Sequence, residues 1–185
     1  MNTQINIAEN GTTTLATAGK YCDRNIDVNV GVPTLEAEVA KQKAMIQSIV
    51  DRTIVEFVDN DITEIGGDGF RSCGLLERVV VPNVYSLRAS AFQSCASLKR
   101  AEFVNLTTFR GIAESSFKNC TSLETLVISG QTQCVLQSTS AFVNTPIASG
   151  TGFIYVPDNL VDSYKTATNW VTFASQIKPI SELEE

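Results

Sequence analysis

A phenylalanine-centred pattern of apolar and polar positions recurs four times between residues 69 and 147. It is carried by GFRSCGLLERVVVP, AFQSCASLKRAEF, SFKNCTSLETLVI and AFVNTPI, with successive phenylalanines 22, 25 and 25 residues apart. In the first three units a cysteine follows the phenylalanine by three residues and a leucine follows it by six. The recurring positions are Phe70, Phe92, Phe117, Phe142, Cys73, Cys95, Cys120, Leu76, Leu98 and Leu123. A strand-like triplet follows each leucine, so each of these units predicts a short strand and a turn.

Units of this length cannot bury their own apolar side, so we expect them to stack into a solenoid. Stacking places phenylalanine over phenylalanine, cysteine over cysteine and leucine over leucine in continuous ladders. Cysteine suits an interior turn because it is small and is among the most often buried residue types. A metal site is the alternative for three aligned thiols, but a ladder offers no fourth ligand and no tetrahedral geometry. We therefore interpret Cys73, Cys95 and Cys120 as buried, reduced packing residues.

The AFxxCxSLxxxxxP-like unit resembles the BspA-like (bacterial surface-antigen) class of leucine-rich repeats over about residues 54–157. The resemblance implies an α+β repeat solenoid, which we place at residues 51–157. The class includes adhesins, accessories of lytic agents and many uncharacterised proteins, so the resemblance is more specific for fold than for function. The fourth unit has Thr145 where a cysteine is expected, with Pro146 next to it, which indicates a terminal unit.

Residues 158–185 are predicted to form a C-terminal cap. Pro157 ends a last strand, and a short helix is expected after it. Trp170 and Phe173 lie in an apolar set suited to closing the open end of a solenoid. The alternative is that these two residues and Tyr164 form an aromatic platform for a sugar. The tail also resembles the C-terminal cap of such repeat proteins from gut bacteria and their prophages.

Residues 34–50 are predicted to form a short coiled-coil stem helix. Thr34 is a suitable N-cap after Pro33, and neither glycine nor proline occurs in the helix. Four apolar residues and one glutamine recur at spacings of 4, 3, 4 and 3 residues, which is a heptad seam. The seam consists of Leu35, Val39, Gln42, Ile46 and Ile49. Isoleucines at successive seam positions favour more than two strands, so we expect a parallel homotrimer. The alternative is a lone amphipathic helix that packs on the first repeat.

Residues 1–33 are predicted to form an N-terminal β module that anchors the chain to a larger assembly. Apolar residues alternate with polar residues and glycine over residues 26–32, as in a half-buried strand, and a second strand is expected at residues 12–15. The segment is too small to hold a core of its own. NIAENGTTTLATAGKYCDRNIDVNV resembles an N-terminal module of virion-associated proteins of Firmicutes phages and prophages. The resemblance implies that residues 1–33 contact other virion proteins.

Composition narrows the range of functions. The net charge of −6 counts against nucleic acid and anionic membrane surfaces, and no apolar run approaches the length of a membrane span. Histidine is absent, which removes the commonest general base and the imidazole metal ligands. Five cysteines without a CxxC pair indicate neither a disulfide framework nor a zinc site. We therefore expect no enzyme activity, no catalytic residue, no cofactor and no metal.

An anchor, an oligomeric stem and an exposed repeat domain together resemble a virion fibre or spike. We predict a phage or prophage structural protein, on the head or tail, whose repeats adhere to a host-surface glycan or protein or to environmental surfaces. The start of the chain has neither basic residues nor an apolar h-region, so we expect no signal peptide, synthesis in the bacterial cytoplasm and location in the virion. The alternative is a cell-surface or secreted bacterial leucine-rich-repeat adhesin.

Overall fold

The computed structural model describes the larger, C-terminal part of the chain and short pieces of the N-terminal part. The described residues are 6–7, 12–14, 20–21, 24–25, 29–31, 43–48, 51–107 and 110–184. Four residues of the predicted stem seam, Leu35, Val39, Gln42 and Ile49, lie outside them. Within these ranges, no helix combines the length and the apolar character that crossing a membrane requires.

The described pieces of the N-terminal segment are five short strands. Strands β1 (Asn6–Ile7), β2 (Thr12–Thr14) and β5 (Asn29–Gly31) form an antiparallel sheet with β2 in the centre. Strands β3 (Lys20–Tyr21) and β4 (Arg24–Asn25) form a separate antiparallel pair. Strands β2 and β5 fall inside the two stretches that were expected to be extended. The anchoring role of the segment stays a prediction.

A six-stranded parallel sheet runs the length of the repeat region. Its strands, in the order in which they pair, are β6 (Glu56–Val58), β8 (Arg78–Val80), β10 (Arg100–Phe103), β12 (Thr125–Ile128), β13 (Phe153–Val156) and β14 (Ile177–Pro179). One buried residue of each strand occupies the same register position: Phe57, Val79, Ala101, Leu126, Ile154 and Ile177. Because side chains alternate along a strand, the residues on either side of this row point away from the core.

A second, narrower parallel sheet contributes a further row of residues to the core. It contains β7 (Glu64–Ile65), β9 (Ser86–Leu87) and β11 (Gly111–Ile112), and a single bridge from Ile112 to Leu136 extends it. The apolar residue that ends each of the three strands belongs to the same core as the large sheet, and so does Leu136. Each repeat therefore contributes one longer and one shorter strand, as expected for a solenoid unit.

The phenylalanines of the repeats form a stacked ladder through the core. The ring centroids of Phe70 and Phe92 are 5.2 Å apart, those of Phe92 and Phe117 are 5.4 Å apart, and those of Phe117 and Phe142 are 5.8 Å apart. The planes of these pairs differ by 13° or less. All ten recurring positions of the sequence pattern have an exposed fraction of 0%. The interior of the solenoid is therefore built from residues that recur at the repeat period.

Two turns in the repeats contain non-glycine residues with positive φ. These residues are Asp68, Ser90 and Ser115 in one turn and Ser72, Ser94, Asn119 and Asn144 in the other, with φ between 56° and 63°. Short polar residues adopt this region more readily than branched or bulky ones. The N–H of Ser94 donates to the carbonyl oxygen of Lys118 at 2.8 Å, and equivalent bonds occur in other repeats. The strained turns thus connect each repeat to the next.

Short helices close the C-terminal end. They include a 3-10 helix at Thr139–Phe142, α2 (Pro146–Ser149), α3 (Val161–Thr166) and a 3-10 helix at Trp170–Phe173. The hydroxyl of Thr145 accepts a hydrogen bond from the N–H of Ala148, so the residue that replaces the ladder cysteine is the N-cap of α2.

The aromatic residues of the cap are buried. Tyr164, Trp170 and Phe173 belong to the core, and the ring of Phe173 packs edge-on against Phe142 with centroids 5.2 Å apart. None of the three presents a face to solvent. Their burial excludes the aromatic sugar platform that was the alternative interpretation.

The described part of the predicted stem is helix α1 (residues 43–48). Ile46 has an exposed fraction of 5% and belongs to the solenoid core, and Met45 packs against that core. This seam residue is therefore covered within a single chain. The finding favours the alternative interpretation, in which the helix packs on the repeats instead of on another chain.

The cysteine ladder is buried, but it is not reduced throughout. Cys95 Sγ donates to the carbonyl oxygen of Phe70 at 2.9 Å, and Cys120 Sγ donates to that of Phe92 at 3.0 Å. Both are free thiols. Cys73 takes part in a disulfide, so the prediction of a reduced thiol is wrong at this position. Sequence spacing identifies which cysteines align in repeats, but it does not identify which cysteines bond.

Candidate binding surface

The outward residues of the six-stranded sheet form two rows, which we call the outer face. The first row contains Glu56, Arg78, Arg100, Thr125 and Phe153, and the second contains Val58, Val80, Glu102, Val127, Tyr155 and Lys178. Val127 is largely covered by its neighbours and is 6% exposed. Parallel pairing in a fixed register places equivalent residues side by side from strand to strand. The sequence of each repeat therefore determines one pair of side chains on a continuous surface.

Charged side chains occupy the N-terminal half of the outer face, on strands β6, β8 and β10. Arg78 contacts the carboxylates of Glu56 and Glu102, the latter at 3.1 Å, and Arg100 Nε lies 3.0 Å from Glu102. The hydrogen bond that the Arg78 guanidinium donates to Glu56 raises the pKa of Arg78, which stays charged. Pairs this exposed contribute little to stability. Their effect is to hold the long side chains in a defined arrangement across three strands.

Aromatic side chains occupy the C-terminal end of the outer face. The rings of Phe153 and Tyr155 meet edge-on with centroids 6.5 Å apart, and Lys178 Nζ lies 4.5 Å from the centroid of Phe153. Both rings are partly exposed. We call these three residues the aromatic end. Partly exposed rings offer apolar contact area, and the tyrosine hydroxyl and lysine ammonium add hydrogen bonding.

The described residues contain no arrangement that suggests metal chemistry. Within the ranges that the structure covers, no group of three or more histidine, cysteine, aspartate or glutamate side chains is placed to hold a metal ion. The residues predicted to form the repeat ladder all lie inside the solenoid and do not reach its surface.

The repeat pattern does not predict the outer face directly, although the sequence contains a signal for it. Each buried strand residue, such as Ala101 or Leu126, is flanked on both sides by outward positions. An alignment of the repeats on that residue places the members of the two outer rows in the columns before and after it. The periodic phenylalanine, cysteine and leucine positions indicate only the core, because the residues that recur from repeat to repeat are the buried ones.

The family comparison covers the region of the repeats. A model described as BspA type Leucine rich repeat region matches residues 51–162 in six copies. The match exceeds half of the 185 residues and does not include residues 1–50. No curated protein and no solved structure matches the chain. With its parallel sheets and stacked repeat positions, the chain belongs to the BspA type leucine-rich-repeat family.

Proposed function

We propose that the chain is a binding protein that adheres to a partner surface through the outer face of the six-stranded sheet. The observation that carries the proposal is the continuity of this face over six strands that are in register. Solenoids use extended surfaces of this kind for recognition. The ladder residues stabilise the interior, so the two outer rows are free to differ from repeat to repeat.

The two parts of the outer face have different roles in this proposal. The aromatic end provides contact area for a sugar ring or an apolar protein side chain on the partner. The charged N-terminal half, centred on Arg78 and Glu102, orients the partner and disfavours partners of the wrong charge pattern. It contributes less to affinity than to specificity. The partner is therefore a host-surface glycan or protein.

Binding of the full-length protein to target bacterial cells tests the role of the face. Tyr155→Ala removes part of the aromatic end. Tyr85→Ala is the matched control, because Tyr85 is 37% exposed and precedes β9 of the second sheet. We expect Tyr155→Ala to weaken cell binding by about tenfold, a typical effect for an aromatic anchor, and Tyr85→Ala to leave it unchanged. Equal effects of the two variants would contradict the proposal, provided that both melt at the wild-type temperature.

We further propose that this surface is displayed on a phage or prophage virion, where residues 1–33 contact other virion proteins. The assignment rests on the resemblance of the sequence of that segment to virion-associated proteins, and the family match does not extend to these residues. Mass spectrometry of purified particles should detect the chain, and a truncation that begins at Pro33 should fold but fail to enter particles. Recovery of the chain in the cell envelope and not in particles would favour the bacterial surface adhesin that the family membership also suggests.

A homotrimeric stem is a further element of the proposal. Ile46 is already buried within one chain, so a stem would have to use other residues of the seam. Light scattering of the full-length protein distinguishes a trimeric stem from a helix that packs only on the solenoid of its own chain. A mass of three chains supports the stem, whereas a mass of one chain means that α1 only covers the solenoid.

The proposal assigns no catalytic activity to the chain. The absence of histidine from the sequence supports this assignment. A glycan-release assay with target cells tests it, and release of soluble sugar by the purified protein would contradict it.

A further inference from the structure

A cavity of about 200 Å³ lies beside the second, narrower sheet, away from the outer face of the six-stranded sheet. Its lining includes Ser86, Leu87, Arg88, Arg110, Ala113 and Gln137. Serine and alanine occupy positions of β9 and the residue after β11, while arginine and glutamine surround them. The depression therefore arises because short side chains alternate with long ones from repeat to repeat.

Two guanidinium groups lie beside the cavity. Arg88 contacts Glu64 through Nε at 2.6 Å and through Nη2 at 3.3 Å, and Arg110 Nη1 reaches the same carboxylate at 3.4 Å. Two guanidinium groups thus share one carboxylate. The contact of Arg110 is the longest of the three, and its Nε and Nη2 groups make no hydrogen bond within the described residues. Arg110 consequently has donors available for a second anion.

The backbone of Arg110 is fixed on both sides. Its N–H donates to Thr107 Oγ1 at 3.3 Å, and its carbonyl oxygen accepts from Gln137 Nε2 at 2.7 Å. The same bond fixes the amide of Gln137, whose Oε1 atom remains an acceptor. The backbone of Arg110 and the amide of Gln137 are thus held in place before a ligand binds, which lowers the entropic cost of binding.

Ser86 provides an independent indication of a ligand. Its exposed fraction is 2%, and its hydroxyl makes no hydrogen bond to any residue that the structure describes. Leaving a buried hydroxyl without a partner costs free energy, and such groups are uncommon in folded proteins. Because Ser86 lines the cavity, a molecule bound there would complete its hydrogen bonding.

We propose that this cavity binds a uronic acid, with the carboxylate on Arg110 and sugar hydroxyls on Ser86 and Gln137. Ala113, which is 7% exposed, supplies a small apolar contact for the sugar. The cavity volume is several times the roughly 30 Å³ that one water molecule occupies in the liquid. It is smaller than the roughly 300 Å³ of the smallest pockets that bind drug-sized ligands. It therefore suits a monosaccharide. The site goes beyond the proposed function, because it lies on a different sheet and does not depend on the outer face.

Titration of the isotope-labelled full-length protein, followed by NMR, tests the proposal. Glucuronate should cause saturable shifts in the amides of residues 86–88 and 110–113 at millimolar concentration. Glucose, which lacks the carboxylate, should bind at least about tenfold more weakly because the charge-assisted bond to the guanidinium is lost. Equal binding of glucose would overturn the proposal, and so would the absence of saturable shifts. Tighter binding of N-acetylglutamate would overturn it in favour of an acidic protein side chain.

Three variants separate recognition from folding. Arg110→Gln should weaken glucuronate binding by about tenfold or more, whereas Lys99→Gln should leave it unchanged. Lys99 is an exposed cation that pairs with Glu77 beside the other sheet. Ser86→Ala should weaken binding and yet raise the melting temperature, because it removes a buried hydroxyl that has no partner among the described residues. Unchanged binding in Arg110→Gln or an equal loss in Lys99→Gln would overturn the proposal.

Discussion

The hydroxyl of Tyr164 accepts a hydrogen bond from the backbone N–H of Cys134 at 2.9 Å inside the C-terminal cap. Trp170 Nε1 donates to the carbonyl oxygen of the same cysteine at 2.9 Å, and Asn169 Nδ2 donates to that of Leu136 at 2.8 Å. Leu136 makes the isolated bridge that extends the second sheet, and Cys134 lies two residues before it. Side chains of the cap thus take the place of the next repeat and satisfy a strand edge that would otherwise remain open.

Replacing Tyr164 by phenylalanine should destabilise the protein. The change leaves the buried N–H of Cys134 without an acceptor, which typically costs about 1–3 kcal/mol. Urea denaturation followed by circular dichroism measures the effect. Tyr155→Phe is the control, because that hydroxyl is at the surface, and it should change the free energy of unfolding by less than about 0.5 kcal/mol. Similar losses in both variants would show that the cap hydrogen bond has no special role.

The positive φ of Ser94 predicts an unusual order of substitutions. Glycine adopts this conformation without strain, so Ser94→Gly should be neutral or stabilising. Valine is β-branched, and Ser94→Val should cost about 1–3 kcal/mol. Ala96→Val, at an exposed position in the same turn region without positive φ, should cost much less. Thermal melts of the three variants check this order, and a glycine variant less stable than the valine variant would be incompatible with the turn geometry.

Buried thiols should resist alkylation in the folded protein. Burial raises the pKa of Cys120 well above its ordinary value and raises that of Cys134 to about 12. The thiolate is the reactive form, so its population is very small at mildly alkaline pH. Mass spectrometry after brief labelling should find Cys95, Cys120 and Cys134 unmodified in buffer and modified in denaturant. Rapid modification without denaturant would contradict the buried ladder.

Asp59 should make stability depend on pH. Burial raises the pKa of its carboxyl group, and this effect outweighs the hydrogen bonds that the carboxylate accepts from the N–H groups of Asp61 and Ile62. Asp59→Asn keeps an acceptor for these bonds and removes the buried charge. The variant should therefore be more stable than the wild type at neutral pH.

That advantage should decrease in acid. The folded-state pKa of Asp59 lies above the unfolded value, so the folded protein binds the proton first as the pH falls. The wild type gains stability relative to Asp59→Asn as the pH falls through the folded pKa, and the gain is complete below the unfolded pKa of about 3.9. Denaturation curves of both proteins from neutral pH downwards measure the difference. A difference that does not change with pH would show that Asp59 titrates alike in both states.

The core of this protein could be predicted from its sequence because it repeats. Phe92 and its equivalents occupy one site per repeat, and a residue that recurs at the repeat period has the same environment each time. The strands follow from the apolar triplets for the same reason. Family membership then follows from the pattern of the repeats alone.

Features that depend on contacts between unlike segments could not be predicted. The spacing of Ile46 fits both a coiled-coil seam and a helix that packs on the solenoid, because both require one apolar stripe. The sequence around Cys73 contains no information about its disulfide. Ser94 does not signal positive φ as a glycine would. The cavity at Arg110 depends on the relative lengths of side chains in neighbouring repeats, which only the assembled sheet determines.

Hydroxyl-radical footprinting of the full-length protein, free and bound to target cell envelopes, tests most directly whether the outer face is the binding surface. Oxidation of Phe153 and Tyr155 should fall on binding, since a partner on the outer face covers both rings. Tyr85 and Leu75, which are exposed but do not belong to the two outer rows, should be oxidised to the same extent in both states. Protection of Tyr85 or Leu75 with unchanged oxidation of Tyr155 would contradict the proposal that this protein binds through its six-stranded sheet.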